Sequence, residues 1–395
     1  MGSLENGSDE PLTPEGRLFL QKEMNQVIYC AIGMKQPLDV DALKLAIQSC
    51  PMYTHPRFCS LLVRDSAGRE HWRRTRVEIY RHVVPVHGPV AEGLSDEAAV
   101  NKFLADLSTD SPGLMGDDKP LWDVHLLMAH QCMVVRIHHA LGDGISLISS
   151  FLAGSRLVDD PEALPTIGPS LSMMKRRSDG GGEWWKAVVR VLEVVWFTVV
   201  FVVEFVLRTM WVSDRTTPVS GGAGVELWPR KLATARFSLE DLKVVKSAVA
   251  NAELSNMMKG NPGLRWGNKF GIILLPVHYS RSFGDPLEYL RKAKSMMDRK
   301  KKSLEAHFSY KIGDMAMTFL GAHVASLLNY RIFCNTTFSI SNVYGPREEL
   351  TFGGNPITYI RATTSSLPHV RLQNTRASSS VVSRMKSLSG LMWGV

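Results

Sequence analysis

Two adjacent histidines, His138 and His139, stand five and four residues before Asp143, with Gly144 directly after the aspartate. Residues 132–137, which precede them, are apolar and rich in β-branched side chains, and this pattern predicts a buried strand. Imidazole is the side chain best suited to accept a proton near neutral pH, because its ordinary pKa is about 6.5. The spacing H-H-x-x-x-D-G therefore predicts a general base at the end of a strand.

The residues after the histidines predict a turn and a helix. Residues 145–152 carry apolar side chains three and four positions apart, which is typical of an amphipathic helix. The alternative is a purely structural role, in which the histidines only end the strand and Asp143 caps this helix. If an imidazole stays neutral, one ring nitrogen needs a hydrogen-bond acceptor, and we expect a backbone carbonyl of residues 141–144 to supply it.

Composition sets the broad class of the protein. The chain has 395 residues, a formal net charge of +8 and 45% hydrophobic residues, which fit a globular protein of about two domains. No nucleic-acid motif accompanies the basic charge, so we expect no nucleic-acid partner but an anionic substrate or a membrane surface. The five cysteines lack metal-ligand spacing, which predicts no metal site and reduced thiols facing the cytosol.

Residues 183–212 form the most apolar segment of the chain and are long enough to cross a bilayer at about 20 residues. At about 100° per residue, its charges fall on one stripe roughly 60° wide: Lys186, Arg190, Glu193, Glu204 and Arg208. A helix lying in the membrane interface accepts such a stripe more readily than a spanning helix does. We predict a membrane-associated helix, with a span and a buried core helix as the alternatives.

Strands and helices alternate throughout, which predicts an α/β (mixed α+β) fold. We predict an N-terminal domain at 10–158, a linker at 159–182 and the apolar helix at 183–212. A C-terminal domain follows at 225–368, and a serine-rich tail at 369–395 has the composition of a disordered segment. Further expected elements are a helix at 40–50, strands at 121–129, 270–277 and 336–343, and a helix starting at Asp285-Pro286.

Two further motifs accompany the histidines: Pro120-Leu121-Trp122 upstream, and S-N-V-x-G-P at residues 341–346. Together these motifs resemble those of the chloramphenicol-acetyltransferase-like superfamily of CoA-dependent acyltransferases. Within it, the chain resembles the plant wax ester synthase/diacylglycerol acyltransferase family from about residue 10 to about residue 368.

The resemblance implies two chloramphenicol-acetyltransferase-like domains with a tunnel at their interface. It implies acyl-CoA as co-substrate, no bound cofactor, and a long-chain alcohol or diacylglycerol as acceptor. His139 would be the general base that removes the proton of the attacking hydroxyl. The implied location is the cytosolic side of the endoplasmic reticulum membrane, with the plasma membrane as the alternative.

The resemblance also implies roles for the remaining candidate residues. Asp143 would be structural and ion-paired with an arginine, and Gly144 would permit close backbone packing. His138 would orient the site or simply pack. Pro120, Leu121 and Trp122 are candidates for substrate contact, with an ordinary core position for Trp122 as the alternative. Ser341 and Asn342 would polarise the thioester carbonyl or shape the tunnel.

The chain departs from the family pattern in its second half. After residue 252, a core helix of the second domain with its N-D motif is missing, so we expect that domain to be incomplete, as in a truncated or alternatively spliced form. A catalytically impaired, membrane-bound form that only binds lipid or partners is therefore an alternative function. A soluble specialised-metabolism acyltransferase or a peptide condensation domain is a third, but D-F-G-W-G is absent.

Overall fold

The computed structural model describes residues 9–110, 118–165, 184–217, 220–225, 229–237, 272–275, 286–301, 304–344, 346, 348–365, 367–368, 370–376 and 387–394. The expected site of the missing helix, after residue 252, lies outside the described residues. Most of the 159–182 linker does as well.

The described α-helices are α1 (Pro14–Leu18), α2 (Val40–Ser49), α3 (Pro51–Thr54), α4 (Ile79–His82), α5 (Asp96–Asp110), α6 (Gly144–Gly154), α7 (Trp184–Met210), α8 (Pro286–Lys301) and α9 (Glu305–Cys334). The strands are β1 (Glu10–Pro11), β2 (Val27–Met34), β3 (Ser60–Arg64), β4 (Glu70–Arg74), β5 (Val83–Val86), β6 (Trp122–Leu127), β7 (Cys132–His138), β8 (Arg156–Leu157), β9 (Arg230–Phe237), β10 (Phe338–Tyr344), β11 (Leu350–Phe352), β12 (Asn355–Thr364), β13 (Val370–Arg376) and β14 (Ser387–Gly394).

The largest sheet has seven strands in the order β5-β6-β7-β2-β12-β11-β8. Its centre, β2 and β7, is buried along nearly its whole length, because the apolar runs in both strands are covered on both faces. The expected mixed α/β class is confirmed. The helices at 40–50 and from Pro286, and the strands at 121–129, 132–137 and 336–343, occur with shifts of a few residues at their ends.

The boundary predicted between the two domains is wrong in one respect. β11 and β12 were assigned to the C-terminal domain, yet β12 pairs with β2 and β11 pairs with β8, so both complete the N-terminal sheet. The pairing is so close that a Cβ atom at Gly33 of β2 would overlap the ring of Tyr359 on β12. The two halves of the chain therefore share a core.

Two further predictions for the second half are also corrected. The segment 369–395 was expected to be disordered, but β13 and β14 pair with each other inside the sheet β10-β13-β14-β9. Their apolar residues, such as Leu372 and Leu391, occupy paired positions within strands. The serine content of the segment does not indicate this pairing. Conversely, residues 272–275, expected to lie in a strand at 270–277, form no strand.

A buried ion pair joins β6 and β7, and β7 leads to the histidines. Arg136 on β7 donates to Asp123 on β6 from Nε (2.9 Å to Oδ1) and from Nη2 (2.6 Å to Oδ2). Burial raises the pKa of Asp123, but hydrogen bonds from His125 and Arg136 outweigh it and hold that pKa below the ordinary range. The carboxylate is thus charged, and its charge is balanced within the fold.

The apolar helix α7 exposes apolar side chains, whereas a helix that faces water exposes polar ones. Every side chain of α7 that the structure describes as exposed is apolar, including Trp196 at 64% exposure. The charges turn inward: Arg208 pairs with Glu204 (3.2 Å) and with Asp214 (2.6 Å). Phe201 is fully buried against Ile332 of α9. The side chains of Lys186 and Arg190 lie outside the described ones. Among the described residues, no helix combines the length and hydropathy needed to cross a bilayer.

The Asp123–Arg136 pair gives a stability prediction. Arg136→Met removes both donors and leaves a buried carboxylate, so the free energy of unfolding in urea should fall by about 3–5 kcal/mol. The double variant Asp123→Asn/Arg136→Met should regain part of this loss. As a control, Arg64→Met removes a 3.9 Å pair with Glu70 from a mostly exposed side chain and should cost no more than about 1 kcal/mol. Equal losses in the two single variants would contradict this account.

Candidate active site

The two histidines lie where β7 ends, and backbone hydrogen bonds fix both. The His138 N–H donates to Leu121 O (3.0 Å), and the His139 N–H donates to Gln26 O (2.9 Å). The Leu141 N–H then donates back to His138 O (3.0 Å), which closes a tight turn. The strand end, the Pro120-Leu121-Trp122 motif and the entry into β2 therefore meet at one place.

His138 is fully buried and held as a neutral ring. Its Nδ1 accepts from the Ala140 N–H (3.2 Å), so its Nε2 carries the proton and donates to Asn25 Oδ1 (2.7 Å). Burial and the neighbouring His139 lower the pKa of His138 to about 3. We expected the turn to supply the acceptor for a neutral imidazole; for His138 it is the Asn25 side chain. This ring is a structural element of the strand end.

His139 is half-buried. Its ring stacks on Phe19 with 4.1 Å between centroids and 24° between planes. Phe19 itself is buried and follows α1, which Thr13 caps by accepting from the Gly16 N–H (3.3 Å). The aromatic stack restricts the imidazole orientation on one face. Of the two histidines, His138 is fully buried and His139 retains exposed surface.

Asp143 caps the helix that follows the turn. Its Oδ1 accepts from the Ser146 N–H (2.8 Å), and Gly144 is the first residue of α6. This is the helix cap that the sequence predicts as the alternative role of Asp143. On the same turn, Arg57 donates to Leu141 O (3.5 Å).

The Pro120-Leu121-Trp122 motif packs beneath the histidines. All three residues are buried, and the Trp122 indole donates to Phe58 O (3.0 Å) while its ring stacks on His82 at 4.1 Å. His82 Nδ1 in turn donates to Trp122 O (2.6 Å). These contacts favour the core position for Trp122, whose role is to hold the strand end in place.

Ser341 and Asn342 lie in a different sheet from the histidines. Both are on β10, in register with Gln373 and Asn374 of β13. Their side chains are outside the described ones, so their role stays a prediction. A different C-terminal residue does reach the site: Ser365 Oγ accepts from the Val27 N–H (3.1 Å), and Val27 is paired with His138.

Sequence reasoning missed Phe19, Asn25 and Ser365. Asn25 and Gln26 stand just before the apolar run of β2, so their place at a strand end was visible in the sequence. Their contact with His138 and His139 depends on the β2–β7 register, which no local pattern gives. Among the described residues, no group of histidine, cysteine and acidic side chains could hold a metal ion.

The family model and the curated relatives agree on one family. Residues 266–382 match the model of the WS/DGAT C-terminal domain. Wax ester synthase/diacylglycerol acyltransferase 11 of Arabidopsis thaliana is 32% identical over 429 residues, which cover 92% of this chain and 87% of the relative. Wax ester synthase/diacylglycerol acyltransferase 5 of the same plant is 30% identical, covering 91% of this chain and 85% of the relative.

Solved structures show the same fold. The wax ester synthase/diacylglycerol acyltransferase from Marinobacter aquaeolei VT8 superposes with a TM-score of 0.56 at 16% identity, covering 97% of this chain and 93% of that one. A starter condensation domain of rhizomide synthetase, solved in complex with C8-CoA and Leu-SNAC, has a TM-score of 0.54 at 13% identity, covering 100% of this chain and 91% of that one.

The low pKa of His138 predicts a pH dependence of stability. Its ordinary pKa is about 6.5 and its folded pKa is about 3, so between these values the unfolded chain binds a proton that the folded chain excludes. Stability is therefore lost as the pH falls through this window. His138→Asn should make the loss between pH 7 and pH 5, measured by urea unfolding, smaller by about 2 kcal/mol. The control variant His87→Asn, at an exposed position, should show the wild-type pH dependence of the free energy of unfolding. The same wild-type dependence in His138→Asn would contradict the prediction.

Proposed function

Because the chain belongs to the wax ester synthase/diacylglycerol acyltransferase family, we propose that it transfers a fatty acyl group from acyl-CoA to the hydroxyl of a long-chain alcohol or of diacylglycerol. The observation that carries the proposal is the division of labour between the two histidines. His138 is fully buried and neutral, while His139 is half-buried and its ring stacks on Phe19.

In this mechanism His139 acts as general base and then as general acid. The imidazole takes the proton of the acceptor hydroxyl while the hydroxyl oxygen attacks the thioester carbonyl carbon. The carbon–sulfur bond then breaks, the ester is released, and the CoA thiolate receives the proton from His139. A positioned base and two aligned substrates suffice, so no covalent enzyme intermediate is required. Phe19 would keep the ring in place through both proton transfers.

We further propose that the protein lies on the cytosolic face of the endoplasmic reticulum membrane, or of the plasma membrane, through α7. All described exposed side chains of α7 are apolar, and Arg208 pairs with Glu204 and with Asp214, which is the pattern of a helix embedded in the interface of a bilayer. Trp185 and Trp211 stand at its two ends and are both exposed, as in interfacial belts. All five cysteines are free thiols, which suits the cytosolic side.

A second candidate function is a catalytically impaired form that binds lipid without turnover. The alignment with the Arabidopsis relative runs over 429 residues, more than the 395 of the whole chain. The longer alignment favours the loss of a segment from this chain. Binding of acyl-CoA without any ester product would support this candidate over the enzyme.

The general base gives the first prediction for this function. His139→Ala should lower ester formation from labelled acyl-CoA by about 10²–10⁴-fold with either acceptor, because the base contributes to the rate by that order. Thin-layer separation of the labelled products measures it. His87→Ala, at an exposed position on the surface, should be as active as the wild type. Unchanged ester formation by His139→Ala would exclude His139 as the base.

The apolar helix α7 gives the second prediction for the proposed function. Trp196→Glu places a charge in the middle of the apolar face of α7 and should weaken co-sedimentation with phospholipid vesicles by about tenfold or more. Tyr80→Glu changes an equally exposed large side chain on α4 and should sediment like the wild type. If the two variants bind vesicles alike, α7 does not contact the membrane.

A further inference from the structure

Helix α9 is bent sharply at Gly321, where φ is 81° and ψ is 167°. Both ends of α9 are tied to α7: the Leu304 N–H donates to Thr198 Oγ1 (3.5 Å), and Arg208 Nη1 donates to Asn335 O (3.4 Å). Thr198 and Arg208 are ten residues apart, about 15 Å along a helix, whereas a straight α9 would span about 45 Å. The two arms of α9 therefore fold back towards each other, with Gly321 at the apex.

Both arms of α9 also hold the N-terminal segment that covers the catalytic histidine. On the first arm, Tyr310 donates to Glu15 Oε1 (3.1 Å), and on the second, Ser326 donates to Glu23 Oε2 (3.3 Å). Midway between these two glutamates is Phe19, the residue stacked on His139. Consequently, α9 is bonded on both sides of the residue that stacks on His139.

The outer side of α9 is apolar, and its apex is the most prominent part. Phe319 is 78% exposed, the highest value among the exposed large hydrophobic residues of the described chain, and the adjacent Leu320 is 56% exposed. The other exposed large apolar side chains of α9 are Phe308, Met315, Val324 and Leu327. Exposed polar residues of α9 include Lys311, His323 and Arg331, and none of the described exposed ones is acidic.

We propose that the apex of α9 is a second lipid-contacting element, which inserts Phe319 and Leu320 into an anionic bilayer next to α7 and so brings the lipid acceptor to the segment over His139. The delivery of a lipid acceptor rests on the acyltransfer proposed above, whereas the contact of α9 with lipid does not. Apolar side chains at a bent apex suit the acyl boundary of a bilayer, and the exposed Lys311 and Arg331 on the two arms of the same helix suit anionic headgroups.

Charge argues against a second copy of the chain as the occupant. A two-fold contact would place this surface against its own copy, so that the patch carrying Lys311 and Arg331 would face the same positively charged patch. The chain carries a net charge of +8, which adds to this repulsion. An anionic lipid surface, in contrast, complements the same residues.

The test is the double variant Phe319→Glu/Leu320→Glu of the full chain. Its affinity for vesicles of phosphatidylcholine with phosphatidylserine should fall at least about tenfold. The ratio of ester formed on vesicle-borne diacylglycerol to ester formed on soluble 1-butanol should fall with it. Leu45→Glu, a 67% exposed leucine on α2, is the matched control and should change neither quantity. Thermal unfolding of the variant verifies that it folds.

Two outcomes overturn the proposal. In the first, the double variant binds vesicles with wild-type affinity. In the second, the wild type elutes as a dimer in size-exclusion chromatography and the double variant elutes as a monomer. His139→Ala separates the two proposals, because it should abolish ester formation on both acceptors while keeping wild-type vesicle affinity. A protein without any acyltransfer whose vesicle affinity still depends on Phe319 and Leu320 would contradict only the proposed reaction.

Discussion

Antiparallel pairing between β2 and β7 places Val27 opposite His138, and the active-site geometry depends on this register. It brings Asn25 to the buried ring of His138, and it brings Gln26 to the backbone of His139. On its other side β2 pairs with β12, which delivers Ser365 to Val27. A slip of one residue would turn every one of these side chains to the opposite face of the sheet. Strand pairing therefore determines the site more than any single side chain does.

Two identical neighbouring side chains have different chemistry here because their surroundings differ. His138 loses its solvation entirely and gains two defined hydrogen bonds, so its neutral form is strongly favoured. His139 keeps partial access to solvent and is oriented by an aromatic ring. A proton acceptor needs both a fixed orientation and room for the proton donor. The hydrogen bonds of the buried His138 hold the strand end that carries the proposed base.

The same principle of environment explains the two helices proposed to contact lipid. On helix α7, Arg208 pairs with Glu204 and with Asp214, whereas valine, leucine and tryptophan side chains are exposed. Helix α9 uses a glycine at a positive φ to fold back, so that it reaches both α7 and the N-terminal segment. In water such surfaces are costly. At a membrane they bring the substrate source to the segment that contacts the proposed base.

The sequence by itself determined the local chemistry: the histidine pair at a strand end, the cap by Asp143, the charged stripe of α7 and the family. These depend on contacts within a few residues, which spacing records directly. The tertiary structure alone decided which histidine is buried, that Trp122 is a core residue, and that β12 completes the N-terminal sheet. It also decided that strands β13 and β14 form where a disordered tail was expected, and that Phe19 and Asn25 belong to the site. Each of these depends on a partner distant in sequence, and pairing between distant segments leaves no local signal because burial and register arise only when the chain is folded.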